Sequence, residues 1–425
     1  MLKTVVEFFD YLKAGTAPAA VVDNSIKMLE KAGFEKLDIS KPWELNRGGR
    51  YYTRVYSSAL FAFEIGEGFT PDAGFRMCAA HADHPCLHVK PKAEMGNGGY
   101  LKLDTDVYGG LILQSFMDRP LSIAGTVSIM SDDPFEPKVL PLDFKRPVCT
   151  IPSLAIHMNR DVNKGIEINK QTELIPIAAL SKDDDEDFFI RAMADELGVL
   201  ADDILDFDLY VYCCEAPCYA GLDEDFISSP RLDDLSSCYA IIKGLIEGSA
   251  KGLSIAGIYD NEEAGSRSKA GADSDITKIV LEKIYAGLSL EGTTLYESYF
   301  KSMILSLDVA HAYHPNYGGK SDPNLMPVCG RGPVIKLSGS QKYATDTRAV
   351  AIVQGICEKA DIPYQKFVNR SDIAGGSTIG AIISSHIPVL TCDIGIGILA
   401  MHSARELMGR DDVKYLVRLC REFYS

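Results

Sequence analysis

The chain has 425 residues, of which 46% are hydrophobic and 24% charged, and these ordinary fractions exclude collagen-like, coiled-coil and disordered proteins. Its 59 acidic and 43 basic residues give a formal net charge of −16, which disfavours nucleic acid and anionic membranes as partners. Its apolar runs are all shorter than the roughly 18 residues that a membrane span requires.

The first segments are predicted to be helical. Apolar residues recur at helical spacing over Val5–Ala14, a layout unlike that of a signal peptide, and again over Ala19–Ala32. An apolar run, Phe75–Ala80, then predicts a buried strand that ends at His81. The eleven cysteines lack zinc-finger spacing, and several lie in apolar segments. Buried, reduced thiols of this kind indicate a cytoplasmic protein.

Residues 86–225 differ in texture, with short alternating segments separated by glycine-rich turn signals that predict a β-rich unit. After residue 225, strands alternate with helices. Strands are predicted at Ser254–Tyr259, Met303–Leu307, Lys366–Val368 and Pro388–Thr391, and helices at Leu235–Glu247, Asp275–Ala286, Thr345–Lys359 and Ser403–Leu419. Such alternation favours a mostly parallel sheet with ligands at the carboxyl ends of its strands. We therefore predict an α/β domain formed by 1–85 and 226–425, with a β-rich domain, 86–225, inserted into it.

Polar residues capable of binding metal follow strand-like runs or open helices at five places. They are His81-Ala82-Asp83, Asp233-Asp234, Glu262-Glu263, Asp308 with His311 and His314, and His402. Each place alone is weak evidence for a metal site, since an aspartate after a strand is more often a helix cap than a metal ligand. Together they place imidazoles and carboxylates at one sheet edge, a donor set that suits zinc, manganese or cobalt better than calcium.

Two divalent ions about 3.5–4 Å apart need a bridging carboxylate and further ligands for each ion. Adjacent acids such as Glu262-Glu263 suit a division of labour in which one binds metal and the other takes a proton from water. Taken alone, this pair is more simply interpreted as an acidic loop after a turn. The other four metal-capable places along the chain favour the catalytic interpretation instead.

Ten segments carry a family resemblance in a fixed order along the chain. They are AAHADHPCLHVKP from Ala79, VYGG from Val107, DRPLSIAG from Asp118, IPSLAIHMNR from Ile151, SPRLDDLSSC from Ser229, YDNEEAGS from Tyr259, LDVAHAYHPN from Leu307, GPVIKLSGSQKYATD from Gly332, GGSTIG from Gly375 and DIGIGILAMHSARE from Asp393. With these segments the chain resembles the M18 aminopeptidases, the aspartyl aminopeptidase family, along nearly its whole length.

The resemblance implies a set of metal ligands and a base. It places His81, Asp233 and Asp308 around one ion, and Glu263, Asp233 and His402 around the other, with Asp233 as the bridge. The ions would be Zn²⁺, with Mn²⁺ or Co²⁺ as alternatives, and Glu262 would be the general base. Asp83, two residues after His81, would then fix the tautomer of that imidazole by a hydrogen bond.

The resemblance also implies substrate contacts and partners. His314, Lys336 and Tyr343 would contact the substrate, with Lys336 as the counter-charge for an acidic side chain. His157 would project into the active site of a neighbouring subunit. The implied protein is a homo-oligomer, a dodecamer built from dimers in which the inserted domain mediates dimerisation. It releases N-terminal residues, preferentially Asp or Glu, from peptides.

Two of the chain's departures from the family pattern concern the substrate preference. It reads His81-Ala82-Asp83-His84-Pro85 where HTDSP is common, and it has Ala374 before GGSTIG where relatives have a cysteine. Neither change removes a predicted ligand, but both bear on the strictness of the Asp/Glu preference. A broader two-metal aminopeptidase or a deacylase, and a non-catalytic assembly or cargo protein, are the alternative functions.

Overall fold

The computed structural model describes residues 2–165, 167–181 and 186–425. The chain forms two compact units. The first holds the residues up to Asp83, Pro217–Met401 and Glu406–Ser425, and the second holds His84–Ala216 and His402–Arg405. Residues 217–225, which the sequence analysis placed in the insertion, lie in the first unit.

The first unit is built on a large mixed sheet. Its described strands, in order across the sheet, are β1 (Glu35–Lys36), β2 (Arg50–Val55), β3 (Ala59–Ile65), β13 (Leu253–Tyr259), β4 (Phe75–His81), β14 (Met303–Leu307), β18 (Leu390–Gly395), β16 (Val334–Leu337) and β17 (Gln365–Val368). Five of the eight pairings between these strands are parallel, including β13 with β4, β4 with β14 and β14 with β18. The predicted mostly parallel α/β sheet is therefore confirmed.

Helices cover both faces of this sheet, so its central strands are apolar on both sides. The buried side chains of β4 alternate between two core clusters, with Cys78 and Ala80 in one and Met77 and Ala79 in the other. The first cluster includes buried residues of α1 (Leu2–Ala14), α2 (Pro18–Lys31), α4 (Leu232–Glu247), α7 (Thr347–Lys359) and α9 (Asp412–Tyr424). The second includes residues of α5 (Ile276–Gly287), α6 (Gly292–Tyr299) and α8 (Ile379–His386).

A smaller sheet in the same unit joins strands from the C-terminal part of the chain to strands that precede α4. Its described strands are, in order, β11 (Cys218–Ala220), β12 (Phe226–Ser229), β20 (Glu406–Gly409), β19 (Gly397–Leu399) and β15 (Ala310–His311). Strand β12 is followed closely by α4, and β20 pairs antiparallel with β12. This pairing places Glu406, at the beginning of β20, near the beginning of α4.

The second unit is β-rich, as predicted. Its described strands form an antiparallel sheet in the order β8 (Lys138–Asp143), β7 (Leu121–Ile129), β10 (Ile204–Cys213), β5 (Cys86–Asn97), β6 (Tyr100–Tyr108) and β9 (Ile177–Leu180). Helix α3 (Phe188–Leu197) contributes Phe189 and Met193 to the core of this unit, which also contains Ile123, Val127 and Val211.

Two predicted elements are wrong in extent. The helix predicted at Ser403–Leu419 begins only at Asp412, because Glu406–Gly409 pairs with β12 as a strand. The strand predicted at Pro388–Thr391 is β18, which continues to Gly395 because the carboxylate of Asp393 is satisfied inside the core. Within the part of the chain that the structure describes, no helix is long and apolar enough to cross a membrane.

Two glycines before β16 offer a test of this local packing. Gly330 and Gly332 both have φ +83° and donate their backbone N–H groups to Asp412. A Cβ at Gly332 would lie 2.0 Å from the carbonyl oxygen of Pro363, whereas one at Gly330 would meet nothing within 4 Å. Gly330→Ala should cost about 1–2 kcal/mol for its left-handed backbone alone. Gly332→Ala should cost about 1–3 kcal/mol more because of the clash. Equal urea midpoints for the two variants would contradict this packing.

Candidate metal centre

Three neighbouring strands bring chemically active side chains to one sheet edge. Strands β13, β4 and β14 are parallel, and Tyr259 at the end of β13 lies in register with His81 at the end of β4. Glu262 follows Tyr259 by three residues, and Asp308 directly follows β14. The carboxyl ends of these strands therefore gather the residues that the sequence analysis selected.

His81 lies at the centre of the cluster. Its Nε2 is 3.5 Å from Oδ1 of Asp233, 3.8 Å from Oδ2 of Asp234 and 3.9 Å from Oδ1 of Asp308. Ligand atoms of these four residues all lie within 4.8 Å of one another. Nitrogen and oxygen ligands of a tetrahedral zinc ion, bound at 2.0–2.1 Å, are about 3.3 Å apart. The spacing is close to that of a ligand set around one ion.

The start of α4 positions both aspartates. Asp233 and Asp234 are buried, and the peptide bond between them is cis. The backbone N–H of Asp233 donates to Oε2 of Glu406 at 3.0 Å, and Oδ2 of Asp234 accepts a hydrogen bond from the backbone N–H of His81 at 3.4 Å. Both carboxylates thus have ligand atoms near His81, although only Asp233 was predicted as a ligand.

Hydrogen bonding selects the tautomer of His81. Its Nδ1 lies 3.0 Å from the backbone carbonyl oxygen of Asp83 and 3.4 Å from Oδ1 of the same residue. Since a carbonyl can only accept, Nδ1 is the donor. Nε2, on the side of the carboxylates, is then the atom available to a metal ion.

Asp83 also holds the two adjacent glutamates. Its Oδ1 accepts from the backbone N–H of Glu262 at 3.1 Å, and its Oδ2 accepts from that of Glu263 at 3.0 Å. The glutamates form a 3₁₀ turn between Asn261 and Gly265, which both have positive φ. One buried residue therefore holds the imidazole of His81, mainly by its carbonyl oxygen, and the backbone of both glutamates by its carboxylate.

The charges of the cluster are poorly balanced by protein groups. Burial raises the pKa of Glu262 to about 7, and repulsion from Asp308 adds to the shift although His81 opposes it. Burial also raises the pKa of Asp234 well above its usual range. Burial alone lowers the pKa of His81, but its carboxylate neighbours raise it above the ordinary value. Bound cations would relieve this repulsion and release the imidazole proton, so the donor set fits divalent metal ions.

Lys336 and Tyr343 lie beside Asp308. Nζ of Lys336 donates to Oδ2 of Asp308 at 3.2 Å and to the carbonyl oxygen of Val309 at 3.1 Å, and lies 5.3 Å from the centre of the Tyr343 ring. Burial lowers the pKa of Lys336, but Asp308 outweighs burial and the pKa is raised to about 12. The lysine is therefore cationic and already paired with a carboxylate.

The remaining predicted residues are His314, His402 and His157. His314, with His311, lines a cavity of about 440 Å³ that also includes Lys320, Phe367 and Arg370. His402 belongs to the second unit, where its Nδ1 is hydrogen-bonded to the carbonyl oxygen of Gly110 at 2.9 Å. That bond leaves Nε2 of His402 as its metal-binding atom. His157 is exposed in the second unit.

Sequence reasoning missed two residues that shape the centre. Asp234 is part of the predicted aspartate pair but has no assigned role there, although its adjacency to Asp233 is a usable signal. Glu406 lies in an apolar strand, and only the pairing of that strand with β12 brings its carboxylate to Asp233.

Replacement of Asp83 should weaken the whole centre. In Asp83→Asn, an amide NH₂ replaces one carboxylate oxygen and cannot accept a hydrogen bond. One backbone N–H of the glutamate turn then loses its acceptor, and the carboxylate charge beside His81 is removed. Zinc affinity, measured by competition with a chelator, should fall about 10–100-fold. Asp273→Asn is a matched control, because Asp273 pairs with His386 at 2.8 Å outside this cluster. Equal zinc affinity in the native protein and Asp83→Asn would contradict the role given to Asp83.

Comparison with known families agrees with the sequence motifs. A family model described as aminopeptidase I zinc metalloprotease (M18) matches residues 11–424. The probable M18 family aminopeptidase 2 of Clostridium novyi is 41% identical over 428 residues, covering 100% of this chain and 99% of the relative. That of Clostridium acetobutylicum is 41% identical over 432 residues and covers 100% of both chains.

Solved structures share the fold. The cryo-EM structure of the Ape4 and Nbr1 complex has a TM-score of 0.95 and 31% identity, and the match covers 99% of this chain and 85% of that one. The S. cerevisiae mApe1 dodecamer has a TM-score of 0.85 and 27% identity, with 99% and 96% covered. The resemblance in the sequence motifs is thereby confirmed, and the chain belongs to the M18 family of zinc metalloprotease aminopeptidases.

Proposed function

We propose that the chain is a two-metal aminopeptidase that removes acidic residues, Asp or Glu, from the N-terminus of peptides. One observation carries the proposal. An imidazole and five carboxylates, those of His81, Asp233, Asp234, Asp308 and the Glu262-Glu263 pair, come together in two overlapping sets of possible ligands. One imidazole and five carboxylates are more ligands than the four of a single tetrahedral zinc ion, which favours two adjacent cations over one.

The proposed ligands of the first ion lie in one of these sets, and those of the second follow from the family resemblance. His81, Asp233 and Asp308 would hold one ion, and Asp233, Glu263 and His402 the other, with Asp233 as the bridge. Asp234 lies close enough to serve as an additional ligand. Zinc is the first candidate metal, with manganese and cobalt as alternatives that accept the same donors.

Once bound, two such ions would lower the pKa of a shared water and polarise the scissile carbonyl. Glu262 would then accept a proton from the attacking water at its carboxylate and return it to the nitrogen of the leaving amine. Asp83 would keep Glu262 in place by accepting a hydrogen bond from the backbone N–H of Glu262. His314 and Tyr343 would donate hydrogen bonds to the carbonyl oxygen as negative charge develops on it.

The cavity lined by His314 is our candidate for the substrate side chain. His311, which also lines it, follows Asp308 by three residues, and three extended residues span at most about 10 Å. Lys320 and Arg370 supply positive charge to the lining, whereas Asp322 is its acidic member. A carboxylate on the N-terminal residue of a peptide would meet complementary charge there.

A pair of glutamine variants separates the base from the ligand. Glu262→Gln should retain both ions and lose about 10²–10⁴-fold in kcat, because an amide cannot accept the proton. Glu263→Gln should instead lose metal affinity, by about 10-fold or more. Bound metal measured by elemental analysis and turnover at saturating metal give the two readouts. Near-native turnover in Glu262→Gln would remove that residue from the mechanism.

A panel of N-terminal amides tests the substrate preference. Asp- and Glu-amides should be cleaved with kcat/KM at least about tenfold above Ala- and Leu-amides, as expected for a charge-assisted contact. Arg370→Gln should narrow that gap by raising KM for the acidic substrates alone. Faster cleavage of Leu- or Ala-amides by the native protein would indicate a broader aminopeptidase. An inactive protein with bound zinc would favour the assembly or cargo alternative.

We also propose a homo-oligomer in which His157 of one copy completes the site of another. A solved relative is described as a dodecamer. His157 is exposed among Leu154, Ile156 and Met158, which are exposed apolar side chains of the same segment. Such side chains at a surface are typical of a contact between copies.

Mixing two inactive variants tests this arrangement. His157→Ala and Glu262→Gln should each be weak alone. Co-expressed in equal amounts, roughly a quarter of sites would combine an intact Glu262 with an intact His157 from a neighbour. Activity well above that of either variant is the expected result. Activity of the co-expressed proteins no higher than that of either variant alone would contradict the shared site. Elution of the protein as a monomer from a sizing column would contradict it as well.

A cytoplasmic location is the final proposal about function. Cys78, Cys238 and Cys392 are buried and unbridged. Buried thiols of this kind are typical of proteins kept in a reducing compartment.

A further inference from the structure

His402 is the proposed metal ligand that lies in the second unit. That unit consists of His84–Ala216 together with His402–Arg405, four residues from near the end of the chain. These four residues, the His402 loop, therefore pack as part of the inserted β-rich unit. The groups that hold this ligand in place are consequently residues of the insertion.

The backbone at His402 has a conformation that needs support from its surroundings. Its φ is +65°, in the left-handed region that residues other than glycine seldom adopt. Such conformations persist where the surrounding structure holds them. Nδ1 of His402 donates to the carbonyl oxygen of Gly110 at 2.9 Å, and the carbonyl oxygen of His402 accepts from the backbone N–H of Ile112 at 3.0 Å. One short segment of the insertion thus holds both the ring and the backbone of the ligand.

The hydroxyl of Ser115 connects this segment to the chain beyond the ligand. Its Oγ accepts a hydrogen bond from the backbone N–H of Ala404 at 2.8 Å and donates one to the carbonyl oxygen of Ile112 at 2.6 Å. Ala404 is buried in the core of the second unit, where a lost acceptor is costly to replace. The hydroxyl therefore fixes the His402 loop two residues after the ligand.

The position of Ser115 is itself fixed by Arg119. Nε of Arg119 donates to the carbonyl oxygen of Ser115 at 3.1 Å, and the same guanidinium pairs with the carboxylate of Glu215. Arg405, the last residue of the His402 loop, donates to the carbonyl oxygen of Glu215 at 3.4 Å and to that of the next residue at 3.0 Å. Two parts of the insertion, joined by Arg119, thus hold the loop at both of its ends.

We propose that Ser115 is a positioning residue for the metal ligand His402, so that the inserted unit supports the metal centre in addition to its proposed role in assembly. The proposal rests on the proposed two-metal site. Its effect is confined to one ion, because the proposed ligands of the other ion, His81, Asp233 and Asp308, lie in the first unit.

Ser115→Ala tests the proposal, because it removes the hydroxyl with little change in volume. Chelator competition on the full-length protein should show that one of the two zinc ions binds about 10–100-fold more weakly. The other ion should stay within about twofold of its native affinity. Ser115→Thr, which keeps a hydroxyl, should recover most of the lost affinity.

Ser131→Ala is the matched control. Ser131 belongs to the same unit, and its hydroxyl donates to the carbonyl oxygens of Asp133 and Glu136, both at 2.7 Å, in an exposed turn. Its replacement should leave the affinity for both ions within about twofold of native, since the His402 loop keeps all of its contacts. If Ser115→Ala does not fold, Ser115→Cys takes its place and should also bind one ion more weakly, because sulfur is a weak acceptor.

A double variant separates positioning from general support of the fold. His402→Ala removes the ligand itself, so a residue that acts through His402 has nothing further to lose in that protein. Ser115→Ala combined with His402→Ala should therefore bind zinc within about twofold of His402→Ala alone.

Hydrogen exchange gives a readout that does not involve metal. In the metal-free protein, the amide hydrogen of Ala404 should exchange faster in Ser115→Ala than in the native chain, because it has lost its acceptor. Mass spectrometry of peptides that contain Ala404 measures this rate, and Ser131→Ala should leave it at the native value.

Equal affinity for both ions in native and Ser115→Ala protein would overturn the proposal. A further loss of zinc affinity in the double variant, or an unchanged exchange rate at Ala404, would overturn it as well. Failure of the proposed function is distinct from these results, because it would appear in the native protein as fewer than two bound ions or absent peptidase activity.

Discussion

Repulsion among buried and half-buried carboxylates is the constraint on which the site depends. Five of them, together with His81, share one edge of the large sheet, and burial raises the pKa of Glu262 and Asp234 because water is excluded from their surroundings. An arrangement of this kind is costly unless cations balance it. The net charge of −16 therefore includes acidic residues of the interior, which form the candidate metal site.

Backbone groups make the arrangement possible. Asp83 accepts two backbone N–H groups, Glu406 accepts one from Asp233, and Asp393 accepts one from Ala344. Each of these carboxylates fixes a segment that carries a site residue. Neutral, rigid donors of this kind hold charged side chains in place without adding to the repulsion.

Much of the fold and the site could be predicted from the sequence, because the signals were local. Apolar runs that end in His81 and Asp308 mark strand ends, and the spacing of Glu262-Glu263 after a strand marks the position of the turn. The extent of β18 and the strand β20 could not be predicted in this way, since their polar residues are satisfied by distant segments. The same reason explains why Lys336 was assigned by family resemblance alone, while its contact with Asp308 depends on the packing of β16 beside β18.

The bond between Asp233 and Glu406 joins residues 173 positions apart. At a synthesis rate of 5–20 residues per second, about 9–35 s separate the appearance of the two residues on the ribosome. During that interval the backbone N–H of Asp233 lacks the acceptor that it has in the folded protein. The candidate metal site is thus completed only after the strand that carries Glu406 has been synthesised, when most of the fold can already exist.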